Sequence, residues 1–299
     1  VKKLQNSHLW FSLVWATFIL FVVPIGVSRF AFLIFGPPAP SLAWKLTMLV
    51  QFVLAYSLVF FCASSHPSRK ALFRLPQKPA RLFGTLVLVW TSVLFSLSGL
   101  VFILAILANM GTEGQIAQQL SRDLVDYQGA YGILFGSLEY GGFWEKVAIF
   151  VLVVGLVPMT EEWLFRGLVF DSLTRHFSPR WTILFQAGLF AVLHPLGFYT
   201  IFYLAIGLLL GWFRYTFRSL WAGIWAHQFQ NSLAFVSFLG GGREMLTIDP
   251  MQLDPGQLWI IVPFTLIMVG IAILAIRSLV TWPTTPTENS GQNEAHYPR

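Results

Sequence analysis

Apolar residues run in long blocks along this chain, and the blocks dictate its elements. A helix of about 20 apolar residues crosses the hydrocarbon core of a bilayer. Four clear runs of that kind stand at 9–27, 42–62, 82–108 and 258–280. Four shorter or interrupted runs lie between them, at 143–170, 181–194, 198–213 and 220–239. The pattern predicts an all-α polytopic fold of about eight transmembrane helices. The first run is too long for a cleavable signal peptide, and no small-x-small cleavage site follows it. The 109–142 stretch reads as an external segment with a short surface helix over 115–127. The tail from residue 283 is rich in Pro, Thr and Asn and reads as disordered.

Composition agrees with the pattern. The chain is 56% hydrophobic and 11% charged, where a soluble domain is roughly 25% charged. So few charges cannot cover a soluble globule of this size, which excludes an ordinary cytosolic enzyme and a disordered or fibrous chain. The single cysteine, Cys62, excludes a disulfide framework and a multi-cysteine metal site.

Net charge of +6 has two readings, nucleic-acid binding or asymmetric membrane loops. The distribution decides between them. Arg69, Lys70, Arg74, Lys78 and Arg81 fill the loop between the second and third runs without one acid, so that loop belongs in the cytoplasm. Alternation then puts the N-terminus with Lys2 and Lys3 inside, with Arg175, Arg180, Arg214, Arg218 and the C-terminus. The acid-rich segments fall outside, with Glu113, Asp123, Asp126 and Glu139 in one and Glu244, Asp249 and Asp254 in the other. The charge therefore describes a multi-pass protein of a cell membrane, expected to be a bacterial plasma membrane. It implies the lipid bilayer as partner and no nucleic acid.

Ionisable groups at membrane depth are costly and are functional candidates by default. Three clusters stand out: Glu161-Glu162-x-x-x-Arg166 in the fourth span, Phe190-x-x-x-His194 at the end of the fifth, and His227-x-x-x-Asn231 in the seventh. Counted from the cytoplasmic ends, Glu161 lies about 13 Å deep, His227 about 10 Å, Asn231 about 16 Å and His194 about 20 Å. Overlapping depths on three spans suggest one shared site opening towards the cytoplasm. Polar contacts of this kind also simply join helices; one such pair reads as glue, three at matching depth as a site. Successive helix residues point about 100° apart, so Glu161 and Glu162 cannot face the same way. Glu162 and Arg166 share a face and suit a structural clamp. Glu161 is then left to face a cavity as a general base. His227 and Asn231 share a face and could both donate to an oxyanion, and His194 could hold a water together with Glu161. Phe190 reads as packing. Gly207 and Gly211 have the small-xxx-small spacing of close helix contact and no chemical role.

No His-Glu-x-x-His occurs and no Asp lies within a predicted span, so zincin-type and two-aspartate membrane proteases are excluded. Ser96-Leu97-Ser98-Gly99 lacks the later histidine and glycine pattern of a serine intramembrane protease.

Glu-Glu-x-x-x-Arg, Phe-x-x-x-His and His-x-x-x-Asn, in that order on successive membrane helices, resemble the CPBP intramembrane proteases. These include type II CAAX prenyl endopeptidases and bacteriocin-processing or abortive-infection-like proteins. The resemblance covers about 144–240. It implies an eight-helix membrane fold with a cavity reached from the cytoplasmic side and 144–240 as the catalytic core; the apolar runs set 1–143 as the first three helices and an external segment, 241–282 as the last helix and 283–299 as a cytoplasmic tail. It implies Glu161 as the water-activating glutamate, His194 as its partner, His227 and Asn231 as oxyanion donors, and Glu162 and Arg166 as supports. Glu161, His194 and His227 could ligate zinc; they could equally run a metal-free glutamate mechanism. The implied substrate is a peptide or a membrane protein, prenylated or not. The competing expectation is non-catalytic: a binding, immunity or proton-coupled transport protein using the same polar cavity. A further alternative is a scaffold that has only inherited the motifs.

Overall fold

The computed structural model describes residues 72–76, 78–111, 142–194, 200–239 and 254–281, with isolated positions near 27–34 and 115–122. The predicted spans at 9–27 (save residue 27) and 42–62, most of the external segment and its surface helix, and the tail from 283 lie outside the described residues. All regular structure among the described residues is helical. We label the helices α1 (Pro79–Gly111), α2 (Phe143–Leu173), α3 (Pro179–Val192), α4 (Thr200–Phe217), α5 (Trp221–Leu239) and α6 (Leu258–Val280).

Four of these, α1, α2, α4 and α6, are long and apolar enough to cross a membrane, and the protein is membrane-embedded. The other two predicted spans form helices where expected, yet neither meets that standard. At 14 residues, α3 extends only about 21 Å, short of a hydrocarbon core of about 30 Å. The 19 residues of α5 are long enough, but His227, Gln228, Gln230 and Asn231 make them too polar. The helix α2 also runs three residues past its expected end at Phe170, so Asp171 lies in its last turn. An aspartate is therefore present in a spanning helix, contrary to the sequence expectation. It is ion-paired with Arg214 of α4 at 2.9 Å.

Packing follows the small residues. The helices α3 and α4 lie against each other because Gly207 and Gly211 leave room: a Cβ on Gly207 would come within 2.9 Å of the Ala187 backbone. Gly99 lets α1 close on Thr265 of α6 in the same way. The buried core joins Trp90 of α1, Phe165 and Leu168 of α2, Phe190 of α3, Phe213 of α4 and Ala226 of α5.

The helix α2 is not regular. Ordinary α-turns over Phe143–Phe150 give way to wider π-turns over Val151–Leu156, and α-turns return over Val157–Glu162. A second π-stretch covers Trp163–Val169 before the last α-turn. Wide turns of this kind rotate the following side chains and free carbonyls from the helix ladder, and they gather at functional sites. The two wide stretches of α2 bracket Glu161 and Glu162.

Candidate functional site

Arg166 is fully buried, and so is Glu162 one turn before it. The guanidinium Nη1 donates to Glu162 Oε1 at 2.9 Å, as the spacing predicted. Arg166 also lies over the ring of Phe190, 4.6 Å from its centroid, and Nη2 reaches the carbonyl of Gly207 at 3.4 Å. The clamp therefore extends across three helices. A buried charge needs such partners, because desolvation is costly without them.

His227 comes from α5 into the angle between the two glutamates. Its Nδ1 is 3.2 Å from Glu162 Oε1, and its Nε2 is 3.8 Å from Glu161 Oε2. Helix geometry sets successive side chains about 100° apart, yet both carboxylates reach one imidazole. Glu161 thus faces a histidine rather than only a cavity. A carboxylate can only accept, so the shorter contact puts a hydrogen on Nδ1 and turns Nε2 towards Glu161.

His194 stands two residues past the end of α3. Its Nδ1 donates to the carbonyl of Phe190 at 2.7 Å, which leaves Nε2 as the acceptor of the neutral ring. Its plane is stacked on Tyr203 of α4 with centroids 4.2 Å apart. Phe190 connects the group. It is buried, sits edge-on to Phe165 at 5.1 Å, touches His194 at 4.4 Å and faces the edge of His227 at 6.2 Å. Packing is the role expected for it, and packing here means ordering two histidines.

Asn231 goes elsewhere. Its Nδ2 donates to the backbone carbonyl of Val153 at 2.8 Å, in the first wide stretch of α2. One hydrogen of the Asn231 amide is thus spent on the backbone of α2, and the second is the one left for the role expected beside His227.

Spacing did not single out three contributors. Gln186 of α3 is fully buried and donates to the Gly207 carbonyl at 2.8 Å, the same oxygen that Arg166 approaches. Gly223 of α5 lies so close to Glu162 Oε2 that a Cβ there would collide with it. Tyr203 orients His194. A glutamine or glycine in an apolar helix carries no periodic signal, and a tyrosine among 29 Phe and 12 Trp carries little.

Among the described residues, no three His, Cys, Asp or Glu side chains gather closely enough to hold a metal ion. The Nδ1 atoms of His194 and His227 are taken by the Phe190 carbonyl and by Glu162, which leaves Nε2 of each ring as the nitrogen that could face a reacting group or an ion.

Residues 143–233 match the family model described as type II CAAX prenyl endopeptidase Rce1-like. No curated protein and no solved structure matches the chain. The matched segment runs from the start of α2 into α5 and contains all three motifs.

Proposed function

We propose that the Rce1-like domain of residues 143–233 is a working intramembrane endopeptidase in which Glu161 activates a water. What carries the reading is convergence. Glu161, His194 and His227 come from three different elements of that domain; Glu161 meets His227, and both histidines lie against Phe190, the ring that also carries the buried Arg166. Lipid-facing polar residues would have no cause to do so.

Each group then has a part. Glu161 takes a proton from a water held between its carboxylate and Nε2 of His194, and the hydroxide attacks the peptide carbonyl. The oxyanion forms on the His227 side. His227 gives Nδ1–H to Glu162, and with a hydrogen on Nε2 as well it would donate to the developing charge. Glu161 returns its proton to the leaving amine as the tetrahedral intermediate collapses. Asn231 serves through the backbone of α2. The substrate is a peptide or the end of a membrane-bound protein, prenylated or not, reaching the site from the cytoplasmic face of a cell membrane.

The test is cleavage by purified protein in detergent or liposomes. Glu161→Gln and His194→Ala are expected to abolish hydrolysis, by about 10²–10⁴-fold, while both variants stay inserted and monodisperse. Wild-type rates in either folded variant would overturn the assignment. Proton-coupled uptake into vesicles, lost in Glu161→Gln with no proteolysis at any stage, would favour the transport reading instead.

A further inference from the structure

The bond from Asn231 to Val153 meets a need that the chain itself creates. In the wide stretch of α2 the amide of Val157 bonds the carbonyl of Leu152, five residues back. The next bond in that register would run from the amide of residue 158 to the carbonyl of Val153. Residue 158 is proline, buried in the helix interior, and proline has no N–H. The carbonyl of Val153 therefore loses its partner within the helix, and a carbonyl left alone away from water is costly. Asn231 Nδ2 occupies that place at 2.8 Å.

We infer that Asn231 is a positioning residue, standing in for the amide that Pro158 lacks and so holding the turn of α2 that carries Glu161. Pro158 is three residues before Glu161 and four before Glu162. Asn231 is one turn beyond His227 on α5. The bond thus ties α5 to α2 one turn from where His227 meets both carboxylates. A shift of α2 at Val153 would move Glu161 against His227 directly. An oxyanion donor would instead aim the second hydrogen of Nδ2 into the reacting zone.

The two roles separate in a double-mutant cycle. In the native background, Asn231→Ala leaves the Val153 carbonyl without a donor, so the melting temperature of the purified protein falls by several degrees. Replacing Pro158 by Ala restores a backbone amide in register, and adding Asn231→Ala to that variant then changes the melting temperature little. An unchanged melting decrement in both backgrounds overturns the inference. This arm is independent of proteolysis, so it stands even if the protein cleaves nothing. The cleavage arm rests on the function proposed above. Asn231→Ala lowers the cleavage rate about tenfold or more, and Pro158→Ala in the same chain brings most of it back. Cleavage that stays lost in the double variant, while the melting temperature recovers, assigns Asn231 to the oxyanion and overturns the positioning role. Pro158→Leu repeats both arms if Pro158→Ala does not fold, since any residue but proline carries the amide.

Discussion

Arg166 illustrates how a single residue is held at a cost that only its partners offset. Glu162, the ring of Phe190 and the carbonyl of Gly207 surround it. Arg166→Leu is expected to destabilise the protein by about 3–5 kcal/mol, because it removes the ion-pair partner of a buried carboxylate and leaves Glu162 its contact with His227. Adding Glu162→Leu should recover part of that loss, since removing both charges is far less costly than removing one. Thermal unfolding of the single and double variants in detergent measures both effects. The clamp was legible from the i,i+4 spacing of Glu162 and Arg166. The partners across helices were not, because no periodicity along one helix reports which backbone oxygen of another will face it.

At the scale of elements, the contact between α3 and α4 positions His194. Gly207 and Gln186 make that contact: one gives room beside Ala187, the other donates to the glycine's own carbonyl. Gly207→Leu should force the helices apart, carry His194 away from Glu161 and reduce both the melting temperature and the cleavage rate. Gly84→Ala and Gly270→Ala form the contrast. Nothing lies within 4 Å of a Cβ at either, so each should leave cleavage unchanged and raise stability slightly, by about 0.5–1 kcal/mol, as alanine does for glycine within helices. Equal damage from all three would show that the α3–α4 contact has no special place. The small-xxx-small spacing announced this packing. It could not say that the glycine carbonyl would also be shared with the site's guanidinium.

Across the whole molecule, loops that charge assigned to one side meet at one end. The segment at 72–76 is fastened to the start of α5, with Leu220 N–H on the Leu72 carbonyl at 2.8 Å and Trp221 Nε1 on the Phe73 carbonyl at 2.9 Å. Ser219 adds a bond to the Arg74 carbonyl at 2.8 Å. The end of α4 closes there too, where Arg218 takes the left-handed conformation, φ 51°, that commonly ends a helix. The basic loop after the second predicted span and the turn with Arg214 and Arg218 thus share an end, as alternation requires. Which side that end faces is open to labelling. In a Cys62→Ser background, Arg175→Cys should react only with reagent admitted to the cytoplasmic side and Asp254→Cys only with reagent outside. The reverse pattern would invert the proposed topology.

By itself the sequence determined the helical, membrane-embedded class, the order of the three motifs and the pairing of Glu162 with Arg166. Each follows from local rules: the length of an apolar run, the cost of a charge in lipid, and the 3.6-residue turn. Tertiary structure alone decided that one imidazole bridges two successive carboxylates, that Phe190 orders two histidines, and that Asn231 turns to the carbonyl of Val153. Those contacts join residues of different helices, and their partners are backbone atoms and irregular turns. A pattern of side chains does not encode where a proline will leave a carbonyl waiting, or which neighbouring helix will reach it.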